Sequence, residues 1–105
     1  MNARVLVFGE DETLLLVRST VLRDRGMSVA STTSVEHAVT VADQFGVVVV
    51  CTSAGLESRN RLHHAKDALP QTAFVFLRAT DTADPEKWQR EVEMAARRRT
   101  TDLPH

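Results

Sequence analysis

The hydrophobic pattern alternates between short unbroken apolar runs and longer stretches whose apolar residues fall three and four apart. Gly46 to Ser53, GVVVVCTS, is the sharpest of the runs. Four consecutive valines, β-branched and without polar alternation, predict a strand buried on both faces at the centre of a parallel sheet. Polarity returns at Cys51, Thr52 and Ser53, the carboxyl edge of such a sheet, where ligands of open α/β sheets sit.

Taken in order, Arg4 to Gly9 (RVLVFG) predicts a first buried strand. Glu10, Asp11 and Glu12 follow at the start of a helix, where acids complement its dipole. That helix is expected from about Asp11 to Arg25, with Leu14, Val17, Val21 and Leu22 inward and Gly26 as its stop. Leu15 and Leu16 widen the stripe beyond the need of one sheet face. Met27 to Thr32 is more polar and predicts an edge strand. Thr33 and Glu36 form a capping box, opening a helix with Val35, Ala38, Val39, Ala42 and Phe45 in its stripe. A third helix from about Leu56 to Leu69, stopped by Pro70, carries Leu62, Ala65 and Leu69 inward. Thr72 to Leu77 predicts a fourth strand. Ala79 to Asp84 reads as a loop, and Asp84-Pro85 as a cap and first turn. The last helix, Glu86 to about Arg99, places Trp88, Val92 and Ala95 along one side, and Thr100 to His105 should fray. This β-α-β-α-β-α-β-α order predicts an α/β three-layer sandwich with right-handed parallel crossovers.

Length and composition narrow the picture. At 105 residues the chain suits one domain, with its core over residues 4–99. The net charge of −1 gives no general field for nucleic acid or acidic lipid. Four phenylalanines, one tryptophan and no tyrosine leave few platforms for stacking bases. A single cysteine excludes an internal disulfide and fits a reducing, cytoplasmic setting. No run approaches the ~20 residues of a membrane span. Neither G-x-G-x-x-G nor G-x-x-x-x-G-K-[ST] occurs, so a nucleotide site has no support, and no cofactor is expected.

The stretches RVLVFGEDETLL, RDRGM, SVEHAV and VVVVCTS together resemble the receiver domain of bacterial response regulators, over roughly Arg4 to Ala79. The resemblance implies a flavodoxin-like sheet of order 2-1-3-4, here without the family's fifth strand. It also implies a site: two acids after the first strand for Mg²⁺, a phosphoacceptor aspartate ending the third strand, a hydroxyl ending the fourth, and a lysine beyond the fifth. Matched by position, Gly9 stands for the first acid and Glu10 for the second. Cys51 stands for the phosphoacceptor and Arg78 for the hydroxyl, and no lysine matches. A soft thiol is a poor ligand for a hard cation, and transfer to a carboxylate needs the carboxylate. The expectation is therefore a degenerate pseudo-receiver, not an enzyme, acting in signalling through protein contacts without phosphorylation. Arg78 would either pair with Glu10 in the metal's stead or point into solvent.

Two other chemistries stay open beside it. Cys51 at a helix start and near Arg78 suggests a lowered thiol pKa, hence a redox sensor or thiol enzyme, against an inert buried thiol. A conventional Mg²⁺-dependent phosphoacceptor would have to use Glu10 and Asp11. His63 and His64 point about 100° apart on a helix and do not share a metal, and Arg97 to Arg99 suit dipole compensation. The fourth strand, apolar yet at an edge, invites a homodimer, either strand to strand at Phe74 and Phe76 or through Trp88 and Val92 of the last helix packing across the gap. The alternative is a last helix that folds back on its own chain.

Overall fold

The computed structural model describes residues 4–78 and 84–101, with side chains to residue 97. Four strands, β1 (Arg4–Phe8), β2 (Ser28–Thr32), β3 (Val47–Val50) and β4 (Ala73–Phe76), form one sheet of order β2-β1-β3-β4. Every neighbouring pair is parallel, with Phe8 level with Val50 and Val50 level with Phe76. Helices α1 (Glu12–Asp24), α2 (Val35–Val41), α3 (Leu56–Ala68) and α4 (Pro85–Thr101) cover its two faces, and a 3₁₀ turn, Ala42–Gln44, follows α2. This is the flavodoxin-like three-layer architecture that the sequence predicts.

Strand alternation divides the core. Val5, Val7, Val47, Val49 and Cys51 point to the face covered by α1 and α4, where Leu22, Trp88 and Val92 meet them. Leu6, Phe8, Val48 and Val50 point to the other face, against Ala38, Ala42 and Leu62. All four valines of β3 are wholly buried, as a run without polar alternation requires.

The helix ends follow local chemistry. The Asp11 carboxylate accepts from Leu14 N–H at 3.1 Å and caps α1. Gly26, at φ 88°, closes it with Met27 N–H bonded to Leu22 O and Gly26 N–H to Arg23 O, an arrangement that an L side chain resists. Asp84 caps α4, accepting from Lys87 N–H. The cap of α2 differs from expectation: Ser34, not Thr33, accepts from His37 N–H at 3.2 Å. Helix α2 also ends before Phe45, which is buried all the same.

Two larger expectations change. Helix α1 is turned from its predicted phase, burying Leu15, Ser19 and Leu22 and leaving Leu14 and Val17 39% and 49% exposed. Ser19, a small residue in the middle of the inward stripe, hides that stripe from a count of apolar side chains. The second change concerns the last helix. Trp88 and Val92, expected at an interface between copies, are 1% and 0% exposed inside the chain's own core. Helix α4 folds back over β3 and β4 beside α1, held there by Arg25, which reaches Glu93 at 2.9 Å and Gln89 at 3.1 Å. It runs to Thr101, past the expected end. The rest of the expected tail and the loop at 79–83 lie outside the described residues.

Candidate functional site

The carboxyl edge of the sheet brings Gly9, Glu10 and Cys51 together, as the sequence leads one to expect, but it is filled. Gly9 follows β1 and lies against the β3–α3 loop. A Cβ there would stand 2.9 Å from Ser53 Oγ and 3.1 Å from Cys51 Cβ. A side chain there requires the Ser53 hydroxyl to turn away and Cys51 to give by a few tenths of an ångström, so Ser53 and Cys51 crowd the position of a first carboxylate. The Ser53 hydroxyl oxygen is itself buried and has no partner among the described residues.

Glu10 keeps its carboxylate and spends it on structure. One oxygen accepts the Gly55 N–H, and the other accepts the Ser58 hydroxyl at 3.4 Å. Gly55 is the N-cap of α3 and has no side chain to cap with. In a capping box an acid within the first turn reaches back to the N-cap amide. Here the acid comes from another loop, 45 residues away in sequence. The negative charge lies at the positive end of α3, where the helix dipole favours it. Asp11 is likewise committed, as the cap of α1. The donors therefore do not fit the Mg²⁺ that the receiver resemblance implies: one carboxylate caps α3, the other caps α1, and a glycine and a thiol complete the set. Among the described residues no three metal-ligating side chains cluster anywhere.

Cys51 is 1% exposed, its amide bonded to Phe8 O at 2.8 Å. Burial pushes its thiol from the ordinary 9.0 up to about 11, against the smaller opposing pull of the Arg18 and Arg59 charges. The expected lowering is reversed, because loss of water around a thiolate outweighs cations that do not touch it. A protonated, enclosed thiol is a poor nucleophile and a poor redox sensor.

The arginine that reaches into this edge is Arg59, in the first turns of α3, and it meets main-chain carbonyls, not Glu10. Its guanidinium donates to Cys51 O at 3.1 Å and to Leu77 O at 3.0 Å, tying the ends of β3 and β4 together. Two carbonyls at the end of a sheet otherwise look to solvent or a ligand, and a planar fork of donors suits them. Arg78 is exposed, and the expected Arg78–Glu10 pair is replaced by the bonds from Gly55 and Ser58 to Glu10. Arg59 also lies over the Phe76 ring, 5.7 Å from its centre, and His63 stacks on the same ring at 3.9 Å. Phe74 and Phe76 are thus half-buried beside α3 at the open side of β4.

No family model matches the chain, and no curated protein does. The fold does have a likeness among solved structures. The crystal structure of a Burkholderia pseudomallei protein described as pilus assembly-related superposes with a TM-score of 0.67 and 14% identity, over 97% of this chain and 92% of that one. At that identity the likeness speaks to the fold alone.

The sequence could not disclose Arg59, Gly55 or Ser58. Arg59 lies on a mixed-charge helix whose pattern reads as solvated, and Glu10 finds its partners only through the fold. The exposed Leu56 at the start of α3, 77% accessible, sits beside this closed edge. No helix among the described residues is long and apolar enough to cross a membrane.

Proposed function

We propose that the chain is a receiver-like module that works by protein–protein contact, independently of phosphorylation, in a cytoplasmic signalling or assembly process. The reading rests on one observation above the others: Ser53 and Cys51 crowd the place of the first carboxylate, so a side chain at Gly9 would have to push both aside. The capping of α3 by Glu10 and the raised thiol of Cys51 support it from two sides. On this reading the carboxylate at the edge serves as a cap and the thiol stays protonated. The fold resemblance to a protein described as pilus assembly-related is compatible with a role in building or positioning a larger complex. Catalysis forms no part of the proposal.

Incubation with acetyl phosphate and Mg²⁺, followed by intact mass, tests the reading. The expected result is no phosphoryl adduct, in the native protein or in Cys51→Asp, whose carboxylate would still lack an acid partner and a metal. A Mg²⁺-dependent gain of one phosphoryl group in the native protein would overturn it. A gain confined to Cys51→Asp would show that Glu10 can leave α3 for a metal.

A further inference from the structure

The lateral edge of the sheet carries a second kind of site. Ala73 N–H bonds to Gly46 O and Leu77 N–H to Val50 O, each at 2.9 Å. In a parallel ladder the amide and carbonyl of one residue point the same way, and the next residue points them oppositely. Ala73, Val75 and the amide of Leu77 therefore face β3, while Phe74 and Phe76 turn their backbone groups outward from β4, the edge strand among the described residues. The side chains of those same two residues lie on the α3 side, half-buried.

Above them runs a row of basic side chains. Arg59, His63 and Lys66 are spaced i, i+4, i+7 on α3, which places them on one side of the helix. Arg59 and His63 contact Phe76, and Lys66 lines an open cleft of about 280 Å³ with Leu69, Pro70 and Phe74. No ion pair joins any of the three to a carboxylate among the described residues. The row thus follows β4 from Phe76 to Phe74, its two fixed charges, Arg59 and Lys66, in no ion pair among the described residues.

We infer that this edge binds an extended acidic segment of a partner protein, which adds to β4 as a fifth strand. Outward amides and carbonyls supply main-chain bonds, and an alternating pattern supplies the side-chain match. Alternate residues of the added strand rise by ~6.6 Å. That is close to the ~6 Å rise between Arg59 and His63 on their helix, so acids at every second position follow the row, and apolar side chains between them face α4. A second copy of this chain fits less well. A two-fold axis at Val75 would satisfy the outward groups by pairing Phe74 with Phe76 of the other copy. It would also set the two basic rows against each other, Lys66 opposite Arg59, where like charges disfavour pairing. This names a partner class for the contact reading above and rests on it, at a surface distinct from the closed carboxyl edge; phosphotransfer results bear on that edge and leave this one untouched.

The test uses a fluorescein-labelled peptide of alternating glutamate and valine, its lysine-for-glutamate twin, and a twin with the same residues in two blocks. Anisotropy should show binding of the alternating acidic peptide alone, weakened by added salt. Lys66→Glu combined with His63→Glu, both on the surface, should weaken it by about tenfold or more. The bound peptide should slow amide exchange at Phe74 and Phe76 selectively. Equal binding of the lysine twin, no binding, or binding without slowed exchange at those two amides would overturn the inference. So would a dimer mass for the free protein in light scattering, which would give the edge to a second copy.

Discussion

The two open ends of this sheet have opposite characters. At the carboxyl edge, the groups that would meet a ligand in a receiver-like site are engaged or enclosed: Glu10 caps α3, Arg59 bridges Cys51 and Leu77, and Cys51 and Ser53 crowd the space over Gly9. At the lateral edge, β4 pairs on one side only among the described residues, beside half-buried phenylalanines and the basic row of Arg59, His63 and Lys66. The contrast teaches that a carboxyl edge can be filled by the chain's own side chains while a lateral edge stays open to a partner. The same residue types, one acid and one arginine, that elsewhere handle a ligand here satisfy orphaned backbone groups, which stabilises the fold and leaves recognition to another surface.

The largest expected effect tests where α4 belongs. Trp88→Ala should destabilise the protein by about 3–5 kcal/mol, as truncation of a fully buried aromatic does, in urea or thermal unfolding. A cost near zero would return Trp88 to an interface and leave β4 uncovered on that face as well. Gly9→Asp comes next. The new side chain meets Ser53 and Cys51 and brings a carboxylate into an enclosed space, at an expected cost of about 3 kcal/mol. If the variant is as stable as the parent, the carboxyl edge is more open than its geometry indicates.

Alkaline pH sharpens the comparison further. The unfolded chain releases the Cys51 proton near the ordinary 9.0, the folded protein only near 11. Stability from the enclosed thiol is therefore complete below pH 9 and is lost as pH rises from 9 through 11, by on the order of 2 kcal/mol. Subtracting the same titration of Cys51→Ala isolates it from the lysines. A difference that is flat with pH would mean that water reaches the thiol. Smallest is Glu10→Ala, expected to cost about 1 kcal/mol through the lost cap of α3, with Glu10→Gln keeping part of it. A gain in stability would show the carboxylate to be strained in place, as a retained ligand would be.

Much of this was legible in the chain, and for definite reasons. The four valines announce a buried strand because no polar residue interrupts them, and Asp84-Pro85 announces α4 because both residues restrict the backbone locally. The identities of Gly9 and Cys51 alone carry the expectation of a site without its two carboxylates. The rest depends on partners far apart in sequence. The phase of α1 escaped because Ser19 sits inward among larger side chains. The inward turn of Trp88 escaped because an amphipathic helix does not say whether its apolar side meets its own sheet or another chain. Glu10 as a cap and Arg59 as a bridge were invisible, since both act across loops. The row of Arg59, His63 and Lys66 looked like an ordinary solvated face until β4 was placed beneath it.

Backbone amide exchange on the free protein compares both edges in one experiment. The amides of Cys51, Gly55 and Leu77, bonded to Phe8, Glu10 and Val50, should be protected. Those of Phe74 and Phe76 should exchange far faster than that of Val75 between them. Fast exchange at Gly55 and Cys51 together with protection at Phe74 and Phe76 would reverse the two edges and contradict the account.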